Sequence, residues 1–137
     1  MPRVLGITLL IMALIIGIVP QFTTCESQGK AITLANGTTV PMKCKWTAQA
    51  ELGASLPLLA VGTLVITNRR KESRRNLSIL GISLGILVLL IPTILIGVCQ
   101  TLMVCHTIMK PVLLTTGGIV TATSLAGLWV SQRSLKN

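Results

Sequence analysis

The chain has 137 residues, of which 51% are hydrophobic, 11% charged and 2% aromatic, with a formal net charge of +9. A water-soluble domain carries about a quarter charged residues, and a mean hydropathy of +0.80 argues against one here. Basic charge with so few aromatic residues and no basic globular face also argues against nucleic-acid binding, and is read instead as a membrane-orientation signal.

In chain order, the first predicted helix covers about residues 4–22, VLGITLLIMALIIGIVPQF. It meets the length of about 20 apolar residues needed to cross a bilayer. Its apolar core exceeds the roughly 7–15 residues of a signal peptide and no A-x-A site follows, so a retained helix is expected. Cys25 comes next, and the connector then carries Met42-Lys43-Cys44-Lys45-Trp46-Thr47-Ala48-Gln49-Ala50-Glu51 ahead of a second helix over about 50–68. Thr47 is the expected N-cap. That places Glu51 in the first turn, where a carboxylate at the positive helix end gains about 0.3–1 kcal/mol. The sharper alternative is proton or cation coupling, because an ionisable group in a span is a functional candidate; its expected partners are Lys45 or Lys110. Trp46 and Gln49 read as outer-rim residues, since indole favours the headgroup level.

The next connector, NRRKESRRN, holds Arg69, Arg70, Lys71, Arg74 and Arg75, five of the twelve basic residues. Its main expected role is to set topology; it can also grip anionic lipid headgroups, at about 1 kcal/mol per basic residue near the surface. Arg3, Arg133 and Lys136 fall on the same side, leaving Lys30, Lys43, Lys45 and Lys110 on the other. The positive-inside rule then predicts a multi-pass protein of the bacterial cytoplasmic membrane, with both termini and the basic loop in the cytoplasm.

The third predicted helix spans about 77–98 and is followed by Cys99. A second box, Met103-Val104-Cys105-His106-Thr107-Ile108-Met109-Lys110, leads into a fourth helix over about 110–131. Gly81-x-x-x-Gly85 and the stripe Gly118, Ala122, Ala126 allow close helix approach, expected mainly inside the bundle, with a partner helix as the second reading. Pro57 and Pro92 lie within spans, where a kink is tolerated. Trp129, with Arg133 beyond it, suits an interfacial anchor. The fold class is therefore all-α, an integral membrane four-helix bundle of two helical hairpins forming one domain over 1–137.

The predicted topology gathers Cys25, Cys44, Cys99 and Cys105 in the outer connectors, where disulfides persist. An even number reads as two disulfides stapling the extracytoplasmic loops. Three pairings are formally open, and pairing within each hairpin, Cys25–Cys44 and Cys99–Cys105, is the simplest. The first would close a loop of about 19 residues, worth about 3 kcal/mol in the chain-entropy model. The two Met-x-Cys boxes also align with each other, as a parallel repeat of the hairpin would require.

Met42, Met103, His106 and Met109 form a candidate soft-metal set, suited to copper or, through Met or His, to haem. Against it, disulfide pairing would remove the thiolates, and His106 is the only histidine. Four helices with two outer cysteine pairs resemble the plan of quinone-linked disulfide oxidases. Those enzymes carry a C-x-x-C that poises a reactive thiolate, and this chain has none. With no nucleophile elbow, phosphate loop or carboxylate pair either, neither enzymatic activity nor a resident cofactor is expected.

The segments MKCKWTAQAELG at 42–53, LIPTILIGVC at 90–99 and MVCHTIMKP at 103–111 carry a family likeness. Together with the length and four-span plan, the chain resembles an uncharacterised bacterial membrane family, domain of unknown function 4418, over nearly its whole extent. That family commonly has histidine after the first-box cysteine, where this chain has Lys45, which weakens the case for a shared metal site. The resemblance implies a small integral membrane protein with no activity attached. Proteins like it occur beside permease subunits of ABC transporters, which implies an accessory subunit of such a complex. The expected partners are the lipid bilayer and other membrane subunits, with a homo-oligomer as a further option.

Overall fold

A chain in lipid must satisfy its backbone polar groups internally, and long apolar runs do so as helices. The structure, a computed structural model, describes residues 2–26, 29, 31–68, 70–98 and 105–136. Helix α1 runs Pro2–Phe22, α2 Lys43–Thr67, α3 Lys71–Leu90 and α4 Lys110–Lys136. Each includes or adjoins a stretch long and apolar enough to cross a membrane, with mean hydropathies of 2.4, 1.6, 2.5 and 1.4 in chain order.

Two helices start well before their apolar runs. Helix α2 begins about two turns ahead of residue 50, after an extended Met42 that offers no side-chain cap. Lys, Ala, Gln and Glu are good helix formers, so the helix propagates outward past the apolar segment until Pro41 and Met42 stop it. Helix α3 likewise begins inside the basic connector, with Glu72 in its first turn, where a carboxylate complements the helix dipole.

The far end of the second hairpin departs from α geometry. A π-helical turn, Ile91–Leu95, follows α3, and Gly97 ends it in the left-handed region at φ 75°. Pro92 cannot donate an amide hydrogen; Ile96 N and Gly97 N instead both donate to Ile91 O, at 3.0 and 3.2 Å. A second π turn, Cys105–Met109, leads into α4.

Between α1 and α2 lies a short antiparallel ribbon, β1 Ile32–Thr33 and β2 Thr39–Val40, paired Ile32 to Val40 and Thr33 to Thr39. Gly37, at φ 78°, makes its turn. All ten residues from 31 to 40 are exposed.

The most extensive helix contacts are α1 with α2 and α3 with α4; α1 then meets α4 and α2 meets α3, closing the bundle. Glycines set the approach within each hairpin. A Cβ at Gly62 would meet Leu10, one at Gly17 would meet Ser55, and one at Gly85 would meet Thr121. Ile16, Leu58, Val88, Met109, Leu113 and Val120 are wholly buried between the helices. Ile7, Ile11, Leu14 and Ile18 point outward from α1, each about half exposed, the inverse of a water-soluble helix and the arrangement lipid requires. The fold is an all-helical four-helix bundle of apolar helices.

A carboxyl inside the bundle and a rim at its cysteine end

Glu51 is the polar group whose position departs furthest from expectation. It lies two turns into α2, not in the first turn, and is completely buried (0% exposed). Neither carboxylate oxygen has a hydrogen-bond partner among the described residues. Thr47 does not cap the helix: its hydroxyl donates to Gly97 O at 2.9 Å, with a longer contact to Lys43 O at 3.3 Å. One turn further in, the Ser55 hydroxyl donates to Leu52 O at 2.7 Å. Lys45, an expected partner of Glu51, pairs with Glu26 instead, Nζ lying 2.7 Å from Oε2. Both members of that pair are well exposed, and surface pairs contribute about 0–1 kcal/mol.

The level of Glu51 in the bundle follows from the helix register. On α1, Gly17 approaches Ser55 and the Gln21 amide donates to Ala48 O at 3.0 Å, so Pro20, itself buried, stands near Glu51's height. Toward α3, Gly81 approaches Val61 and Gly97 meets Thr47, which sets Ile91 and Pro92 at that level, both buried. On α4, Gly117 packs beside Val88 and Leu89, and the matching buried residue is Leu113. Glu51 thus sits within the apolar interior, level with the π turn.

At the cysteine end, Cys25 and Cys44 are both buried, their Sγ atoms 3.8 Å apart, and the half-buried Met42 packs against them. Cys99 and Met103 lie outside the described residues, as does the side chain of Cys105. The remaining members of the expected metal set are separated in character: His106 is half-buried at the rim, whereas Met109 is fully inside the helical core. Trp46 is 57% exposed and Gln49 is exposed, so both face outward from α2. A shallow pocket of about 120 Å³ lies between the ribbon and the start of α2, lined by Glu26, Thr39, Val40, Met42 and Lys45 among others.

At the opposite end, Arg70 and Arg75 are exposed, and the Arg74 guanidinium donates from Nε to Asn68 O at 2.9 Å, tying the connector to α3. Arg69 and the side chain of Lys71 lie outside the described residues. Arg133 stacks over Trp129, 3.7 Å from the ring centroid, joining an aromatic and a cation at one end of α4, as interfacial anchors do.

The two small-residue stripes part company. Gly81 and Gly85 face Ser124 and Thr121 across the α3–α4 contact. Gly118, Ala122 and Ala126 are exposed, and nothing lies within 4 Å of where a Gly118 Cβ would stand. The stripe on α4 is therefore not spent on this bundle, against the expectation that it packs internally.

Sequence reasoning missed three features. The ribbon was signalled by Asn36-Gly37 between short β-branched runs, a hairpin pattern. Glu26, the partner of Lys45, carries no sequence signal beyond its place beside Cys25. The π turn follows from Pro92, but its contact with Thr47 joins positions far apart in the chain and has no local signal.

Four apolar helices of spanning length, closed into a bundle with an acidic group inside, define a small multi-pass membrane protein. The chain belongs to the family described as Domain of unknown function (DUF4418), whose family model matches residues 4–130. No curated protein matches it. No solved structure matches it either.

Proposed function

We propose that this protein is a non-catalytic accessory subunit of a membrane transporter complex, of the ABC type, and that it docks on its partner through the outward stripe of α4. The observation that carries this reading is the exposure of Gly118, Ala122 and Ala126 on a helix of spanning length. Lipid tails are as apolar as leucine, so helices associate in a bilayer through close packing, and small residues four apart permit it. Lipid contact alone would be served equally well by larger side chains, such as those outward on α1.

The test is purification in mild detergent of the wild type and of a variant carrying Gly118→Leu and Ala122→Leu. The wild type should bring down a membrane subunit, and the variant should recover about tenfold less of it, as a loss of about 1.4 kcal/mol would give. Retention of the partner by a folded variant would overturn the docking site.

The same reading places the basic end in the cytoplasm, by the positive-inside rule, and the cysteine end outside. There Cys25 and Cys44 form a disulfide, for which the proximity of two buried sulfurs is the support. A second reading, an extracytoplasmic soft-metal or redox centre, is favoured by one observation. Two thiolates bound to one tetrahedral metal at about 2.3 Å would stand about 3.8 Å apart, as these sulfurs do. Thiol trapping on intact cells separates the two: a bonded pair resists the reagent, and metal-held thiolates react once a chelator is added.

A further inference from the structure

We propose that the Glu51 carboxyl is an exchangeable proton-binding site inside the bundle, loaded from the cysteine end. Its burial is complete, and both oxygens lack partners among the described residues. Burying an ionised carboxylate without donors is very costly, whereas a neutral carboxyl needs only an acceptor for its single hydrogen.

Among the described residues, the nearest hydroxyls on α2 can accept but have their hydrogens engaged elsewhere, Thr47 with Gly97 O and Ser55 with Leu52 O. The Gln21 amide donates to Ala48 O. Prolines extend the pattern, because Pro20 and Pro92 supply no amide hydrogen to the carbonyls of Ile16 and Val88 four residues earlier. Ile16 and Val88 are both fully buried, one turn deeper than Glu51. A carboxylic acid can donate into such a site, whereas a carboxylate there accepts no hydrogen bond from the described residues.

Among the described residues, no other ionisable group shares the level. Helix α1 presents Pro20 there, with the exposed Gln21 beside it, the π turn presents Ile91 and Pro92, and α4 presents Leu113, while Ile16, Val88 and Thr116 lie a turn deeper. Among the described residues, the titratable or charged groups nearest along the bundle lie toward the cysteine end: Cys25, Glu26, Cys44, Lys43, Lys45, His106 and Lys110. None of them bonds to a Glu51 oxygen.

The route to water is the short one. Glu51 lies one turn from Thr47, whose bond to Gly97 ties α2 to the end of the π turn. A π turn is a weak point in a helix and recurs at functional sites. Opening of the Thr47–Gly97 contact would bring water to the carboxyl from that end, and water supplies and removes the proton without any other co-reactant.

The test is treatment of native membranes with the hydrophobic reagent dicyclohexylcarbodiimide, followed by mass spectrometry of the intact chain and its peptides. The reagent adds to a protonated carboxyl in an apolar setting. Glu51 should carry the adduct at mildly acidic pH and lose labelling at least several-fold as the pH becomes alkaline. Sodium at constant pH should give no protection, and Glu51→Gln should remove the adduct. Labelling that does not change with pH, absence of labelling at every pH, or protection by sodium would each overturn the proposal. The wild-type profile needs no variant, so the test survives if Glu51→Gln fails to fold.

Discussion

Gly85→Val is expected to destabilise the bundle by about 1–3 kcal/mol, the usual range for overpacking a filled interior. A Cβ at position 85 would stand 2.6 Å from Thr121 Oγ1, 3.2 Å from Thr121 N and 3.2 Å from Val120 Cγ1. The hydroxyl can rotate aside, but the Thr121 backbone nitrogen moves only if α4 moves. The α3–α4 hairpin must therefore open, exposing Val88 and Val120, which are fully buried. Gly118→Val is the matched control on the same kind of helix. It has open space around it, so the same change should leave thermal unfolding in detergent, followed by circular dichroism, nearly unaltered. Equal effects of the two substitutions would mean that α4 is rotated from the orientation described.

The second large effect concerns the cysteine end. Under the disulfide reading, Cys25→Ser should cost about 3 kcal/mol, the loop-closure term for a loop of this size. Cys25 and Cys44 are 19 residues apart in sequence, and the intervening chain contains the exposed ribbon, whose two residue pairs are too few to order it alone. Cys44→Ser should cost the same, and the double variant no more than either single one. Reduction of the wild type should reproduce the loss. An unfolding profile indifferent to reductant would remove the disulfide and leave the paired sulfurs for the metal reading.

The bundle was legible in the sequence because the length of an apolar run in lipid leaves few other structures for it. Residues such as Ile11 or Leu14 needed only to be apolar to mark a span. The rotation of each helix is a different matter. A helix apolar on nearly every side carries little directional signal, so Gly81 with Gly85 and Gly118 with Ala122 look alike in spacing. In the folded chain the first pair faces inward and the second outward. The capping rule erred at Thr47 for a related reason. A threonine shortly before an apolar run satisfies the local pattern, but here its hydroxyl is spent on Gly97 O. With the cap gone, the helix begins at Lys43, and Glu51 moves from a favourable first turn to an isolated interior position. Its burial thus arises from packing among four helices, which no single segment encodes.

Three features of Glu51 and α4 therefore stand on tertiary structure rather than on composition: the isolation of the carboxyl, its level with the π turn, and the outward stripe. The stripe bears most directly on the proposed accessory role. A photo-crosslinking residue placed at Ile119, 41% exposed beside the stripe, and another at Ile11 on α1, 50% exposed, sample two outward faces in living cells. Position 119 should give a discrete protein adduct of fixed mass, and position 11 only lipid adducts. Lipid adducts alone from position 119, or the same protein adducts from both faces, would contradict it.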